Sequence, residues 1–155
     1  MENVITLLRE EHDRIRNVFY RWDRLGPEAM QEKVDIVSDL YQELQVHVGV
    51  LREVVLPELR TLTDNSLNFM LDQSVVDYER HLEVINSFRQ RSPKASSYDH
   101  DFFEIRNGLE SQLKEEETQI LPFSELLVTG RFEDFSLRVH KKRAELRSQV
   151  VQKAA

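Results

Sequence analysis

The sequence predicts an all-α protein: an antiparallel up-down four-helix bundle with an additional C-terminal helix. Three observations carry this expectation. The 155 residues include only 4 Gly and 4 Pro, with 40% hydrophobic and 32% charged side chains, a composition of long helices with few breakers. Apolar residues recur at alternating steps of three and four along four stretches, the mark of helices with one buried stripe. No stretch sustains the alternation of a strand.

The first helix is read over about 3–24, with Ile5, Leu8, His12, Ile15, Phe19 and Trp22 on its seam, and Gly26-Pro27 ends it. The second, about 28–62, carries Val37, Leu40, Leu44, His47, Leu51 and Val54, with Pro57 near its end. A turn at Thr63-Asp64-Asn65 offers N-cap side chains for the third, about 65–91, whose seam is Leu67, Leu71, Ser74, Tyr78, His81, Ile85 and Phe88. Ser92-Pro93-Lys94-Ala95-Ser96-Ser97 is the clearest loop. The fourth helix, about 99–128, contains Pro122 and carries Phe102, Ile105, Leu109, Gln112, Glu116 and Phe123. Gly130 breaks the chain before a fifth helix over about 132–153. The bundle is therefore assigned to residues 1–128, and residues 129–155 to a basic helix packed on or extending it. The sparse stripe Phe135, Val139, Leu146 and Val150 fits either a cap on the bundle or a dimer contact.

Net charge is −7, unevenly spread: the segment from residue 131 carries +4, leaving −11 on the rest. An acidic body excludes general nucleic-acid binding. No apolar run is long enough to cross a bilayer. The charged opening decapeptide does not resemble a secretory signal, and there is no cysteine, so no disulfide or thiolate chemistry is available. A cytoplasmic protein is expected. The basic helix is read as a solvated surface whose cations suit its C-terminal end, with an acidic partner as the rival.

One segment occurs twice. Leu44, His47, Leu51, Leu56 and Pro57 are matched at identical spacing by Leu109, Gln112, Glu116, Leu121 and Pro122. A His followed four residues later by Glu places two metal ligands on one helix face. The first copy keeps the His and has Leu51 for the Glu; the second keeps Glu116 and has Gln112 for the His. Counting residues to the midpoints of the turns places His12, His47, His81, Gln112 and Glu116 in one layer of the bundle. A buried carboxylate costs several kcal/mol unless paired, so Glu116 needs a partner. A metal ion is one candidate. A protonated His12, His47 or His81, with Gln112 donating a further hydrogen bond, is the other and requires no cofactor.

Neighbouring groups fit less well. Glu115, three residues after Gln112, and Asp77, one turn before His81, are candidates for a substitute ligand or an outer partner of one. His100 and Glu104 share the same spacing but fall about 18 Å of helix from Gln112 on another face. His140 lies among cations, Glu53 points away from His47, and Tyr78 reads as core.

The segments Leu7-Leu8-Arg9-Glu10-Glu11-His12-Asp13, His47 to Pro57, Tyr78-Glu79-Arg80-His81, and Glu115-Glu116 with Leu121-Pro122 resemble the hemerythrin-like, or HHE cation-binding, family over about residues 5–125. The resemblance implies a four-helix bundle in which a histidine from each helix and two bridging glutamates hold two irons that bind or react with oxygen or related small molecules. Carried over, His12, His47, His81 and Glu116 match, while Leu51 and Gln112 are lost ligand positions. The implied half-site is His12, His47 and Glu116, a two-histidine, one-carboxylate set suited to a single iron(II) or zinc(II) ion rather than an intact di-iron centre. Three functions follow. The first is a small-molecule or redox sensor, or a single-metal binder, responding to oxygen, peroxide or nitric oxide. The second is a metal-free module that binds a protein partner. The third, ranked last because the ligand set is incomplete, is an oxygen- or peroxide-reactive enzyme. No membrane or nucleic-acid partner is expected.

Overall fold

The computed structural model describes residues 3–61, 65–122 and 132–154; the turn read at Thr63-Asp64, the fourth helix beyond 122, and Gly130 lie outside the described residues. Asn3 caps α1 (Val4–Asp23), its side-chain oxygen accepting the Thr6 backbone N–H at 2.9 Å. Ile5, Leu8, His12, Ile15 and Phe19 are all buried, as a seam of that spacing requires. There follow α2 (Met30–Val50), a π-helical turn (Leu51–Val55), α3 (Leu56–Arg60), α4 (Asn65–Phe88), α5 (Tyr98–Glu115), a second π turn (Glu116–Ile120) and α6 (Phe132–Ala154).

The two π turns fall at the same place in the repeated segment, each just before a Leu-Pro pair. Proline has no N–H, and in a regular α-helix its ring collides with the carbonyl four residues back, here Glu53 or Thr118. Widening the preceding turn moves that carbonyl aside. The Leu56 N–H then donates to Leu51 O and the Leu121 N–H to Glu116 O, each five residues back. The sequence repeat is thus also a backbone repeat, and positions 51 and 116 each open a π turn.

Helix α1 packs on α2, α2 on α4, α4 on α5 and α5 on α1, closing a ring of four. Ion pairs fix the directions. Asp23 meets Arg106 while His12 meets Glu117, so α1 and α5 run antiparallel. One end is filled by aromatic rings: Trp22 stacks on Phe102 at 3.7 Å and Phe88 on Tyr98 at 4.4 Å. Beside them Lys33, nearly buried, reaches Asp99 at 2.8 Å.

Helix α6 lies along α2 and α1, with Phe135 and Val139 buried. Gly49 permits the approach, since a Cβ there would stand 2.6 Å from Leu146 Cδ1. The expectation of a simply solvated basic helix is corrected here. Arg138 pairs with Glu58, Lys142 with Glu53, Arg143 with Glu10 and Arg147 with Glu43, at 2.7 to 3.2 Å. The cations of the basic tail are thus paired with carboxylates of the acidic body within the molecule. Each such surface pair contributes at most about 1 kcal/mol, so the apolar stripe holds the helix and the charges set its register. Among the described residues no helix is long and apolar enough to cross a membrane.

Candidate metal centre

The centre of the bundle holds a closed group of ionisable side chains. His12 comes from α1, His47 from the last turn of α2, and Glu116 from the start of the second π turn, all without solvent exposure. His12 Nε2 lies 3.1 Å and His47 Nε2 3.0 Å from Glu116 Oε2, and the two Nε2 atoms are 3.3 Å apart. The Tyr78 hydroxyl donates a short hydrogen bond to the same Oε2. Two imidazoles and a phenol from three helices therefore converge on one carboxylate oxygen, and Glu116 Oε1 has no hydrogen-bond partner.

The outer nitrogens of both rings face further carboxylates. His12 Nδ1 donates to Glu117 Oε1 at 2.7 Å, and Arg16 clamps Glu117 from the other side at 2.7 and 3.2 Å. His47 Nδ1 lies 3.6 Å from Glu11 Oε2; Glu11 is buried, and neither of its oxygens has a hydrogen-bond partner. Both rings thus direct Nε2 inward and Nδ1 toward an acid, the orientation in which histidine ligates a metal through Nε2 while an outer carboxylate holds the ring.

Charge sets the protonation. Burial would lower the pKa of His47, but the nearby charges of Glu116 and Glu11 and the hydrogen bond to Glu116 raise it to about 10. His12 shifts the same way: burial opposes it, and Glu116 and Glu117 prevail. Burial would raise the pKa of Glu116, but the two histidines hold it well below the carboxylate range. The hydrogen bond from His12, aided by Arg16, lowers Glu117 to about 2. Burial keeps Tyr78 a neutral phenol, so it acts as a donor.

Of the five side chains expected in one layer, the structure brings His12, His47 and Glu116 together. His81 is corrected. It is half-buried and its ring faces Gly108, where a Cβ would stand 3.1 Å from His81 Cε1. The reversal between α4 and α5 is centred near residue 94, as the facing pair His81 and Gly108 shows, rather than between 98 and 99. That displaces His81 along the bundle from Glu116. Three residues separate it from Tyr78, which also turns it about 60° around the helix. Tyr78, read from sequence as core, occupies the place expected for a histidine. Gln112 is buried but donates to the Ser74 carbonyl at 2.8 Å and not to Glu116.

The substitutes lie outside the group: Asp77 accepts from Gln73 and pairs with Arg80, and Glu115 is exposed. His100 and Glu104 form an exposed pair at 4.0 Å. His140 stands beside Arg143 at 3.4 Å, and Glu53 is held by Lys142. Glu11, Glu117 and Arg16 were not expected at the centre. Glu11 carried a signal, since Val4, Leu8, Glu11, Ile15 and Val18 step by three and four along a buried face.

The donor set fits a metal ion. Tetrahedral donors bound at 2.0 to 2.1 Å stand about 3.3 to 3.4 Å apart, and the three here are separated by 3.0 to 3.3 Å. The family model for the hemerythrin HHE cation-binding domain matches residues 3–124. The chain belongs to this hemerythrin family. No curated protein and no solved structure matches the chain. Within this hemerythrin domain His12, His47 and Glu116 form a group that could hold a metal ion, and Leu51 is fully buried at the position equivalent to Glu116 in the repeat.

The shifts predict how metal-free protein responds to pH. His47 is raised from 6.5 to about 10 on folding, so its contribution is complete below pH 6.5 and is lost as pH climbs toward 10. Glu116 and Glu117 are lowered from 4.5, so theirs is present above pH 4.5 and lost as pH falls toward 2. Chelator-treated protein should therefore be most heat-stable near pH 5 to 6. A midpoint constant from pH 6 to 9.5 would contradict the imidazolium pair.

Proposed function

We propose that this hemerythrin domain binds a single divalent cation, iron(II) or zinc(II), through His12 Nε2, His47 Nε2 and Glu116, and serves as a small-molecule or redox sensor. The observation that supports it is the convergence of three donors at metal-ligand spacing while Leu51 and Gln112 withhold the ligands of a second ion. Charge agrees: two imidazolium protons and one divalent cation carry the same charge, so exchanging one for the other leaves the balance of the buried group unchanged. Iron bound there supplies reactivity toward oxygen, peroxide or nitric oxide, whereas zinc supplies Lewis acidity without redox chemistry. The chain's own residues keep defined parts. Glu117 and Glu11 orient the imidazoles, and Tyr78 donates to the carboxylate. We assign no catalytic residue, and a cytoplasmic setting fits the cysteine-free sequence.

A metal-free protein-interaction module is the second reading, and one observation favours it: Glu116 Oε2 already receives three donors. Metal analysis of protein purified without chelator or affinity tag separates the two. We expect about one ion per chain and the release of about two protons on binding, since the histidines must deprotonate, with affinity rising as pH increases. Protein that takes up neither iron(II) nor zinc(II) at pH 8 belongs to the second reading.

A further inference from the structure

The ligand atoms of the centre are sealed from solvent, so an ion needs a way in. Three walls are closed. On the α1–α5 side, Arg16 bridges Glu110 and Glu117. On the α1–α2 side lies α6, with Leu146 against Gly49. On the α2–α4 side, Arg52 pairs with Glu79.

The α4–α5 side differs. It holds a cavity of about 190 Å³ lined by Gln73, Ser74, Asp77, Gln112, Glu115 and Gln119 together with three apolar side chains. Ser74 is one turn from Tyr78 on α4, and Gln112 is one turn from Glu116 on α5. The inner wall of the cavity and the centre are therefore built from the same two helices at adjoining turns. Every polar side chain in the described lining offers an oxygen acceptor, and none is cationic; Asp77 is paired loosely with the exposed Arg80 at 3.4 Å. Gln112 and Ser74 are buried polar members of that wall, and Gln112 reaches across it. Its Nε2 is spent on the Ser74 carbonyl, and its Oε1 has no partner.

We infer that this cavity is the cation entry port, in which Asp77 and Glu115 capture a hydrated divalent ion and the Gln112 carboxamide passes it to His12, His47 and Glu116. The inference rests on the single-cation reading. It explains why the lost ligand at position 112 is a carboxamide and not an apolar residue like Leu51. A neutral oxygen donor holds an ion too weakly to trap it yet compensates for part of its lost water. An aliphatic side chain there would leave a dehydrating ion with no donor.

The test is a stopped-flow measurement of cobalt(II) loading into the full chain, followed by the visible absorption of the bound ion, beside an equilibrium titration. Asp77→Asn with Glu115→Gln should slow loading about fivefold at low salt, with the difference shrinking in 0.5 M salt as capture is screened. The number of ions bound should not change. Gln112→Leu should slow loading and release by similar factors and so leave the equilibrium constant nearly unaltered. Glu83→Gln with Glu104→Gln removes the same charge from exposed positions on the same two helices away from the cavity, and should load at the parental rate. Loading of the Asp77/Glu115 variant at the parental rate, or slowing by the Glu83/Glu104 pair alone, would overturn the port while leaving the centre intact. A parent chain that binds no cobalt(II) at equilibrium would overturn the single-cation reading itself, and the port with it.

Discussion

Glu116→Ala should abolish cation binding and lower the stability of metal-free protein by about 3 to 5 kcal/mol at pH 6, the cost of leaving buried charges without their partner. In a domain of this size that is roughly a 10 °C fall in the thermal midpoint. The effect is large because one oxygen, Oε2, serves His12, His47 and Tyr78 together. Removing it leaves both Nε2 atoms and the Tyr78 hydroxyl without that acceptor, and the two imidazoles, with only His12 still held by Glu117, must give up protons or face one another across 3.3 Å. Raising the pH to 9 should narrow the gap between variant and parent, because the unfolded chain's histidines are then neutral and most of the stability that the carboxylate gives the parent by raising the His47 pKa is lost.

A companion variant separates pairing from packing. His12→Leu, His47→Leu and Glu116→Leu together replace the group with apolar side chains of similar size. Concerted replacement of a buried ionic cluster is commonly neutral or stabilising. The triple variant should match or exceed the parent in a urea titration without metal, and bind no ion. If it is as unstable as Glu116→Ala, lost shape and not lost pairing sets the cost. A more stable triple variant would mean that the polar group is kept for binding at the expense of stability.

Much of this arrangement was legible in the sequence, for identifiable reasons. Seam periodicity places His12, His47 and Glu116 on inward faces, and helix counting across the turn after α1 puts the first two at one height. The same counting failed for His81 because it depends on where a loop reverses. Facing His81 to Glu116 needs a centre between 98 and 99, at the edge of the Ser-rich segment, whereas the observed centre lies inside it; each residue of shift in the centre moves the facing residue by two, about 3 Å along the helix. Seam periodicity does not reveal the π turns, although their cause is visible as Leu-Pro at identical places in both copies. Glu11 and Glu117 were passed over because each adjoins a more conspicuous ligand. In a helix the next residue points about 100° away, which ordinarily means a different environment. Here Glu11 is enclosed, and Glu117, still partly exposed, is held toward the centre by His12 and Arg16.

The repeat makes a stronger demand of the scaffold. If the backbone at positions 51 and 116 is equivalent, as their shared π turns indicate, Leu51→Glu with Gln112→His should raise the iron(II) content from about one to about two per chain under anaerobic loading. The second ion should bind more weakly than the first, because α4 presents Tyr78 to the centre and turns His81 toward Gly108. Without metal the double variant should be markedly less stable than the parent. Leu51 is fully buried, so the new carboxylate enters a dry site, and protonating the added imidazole to match it carries its own desolvation cost. Metal should recover about 2.7 kcal/mol when free iron(II) stands at a hundred times the dissociation constant. Leu51→Glu alone should show the instability with little gain in capacity, and Gln112→His alone should show neither, since it adds a terminal ligand without the second bridge. A folded double variant that still holds one ion would show that the position of Tyr78, and not the missing carboxylate, limits this hemerythrin domain to a single cation.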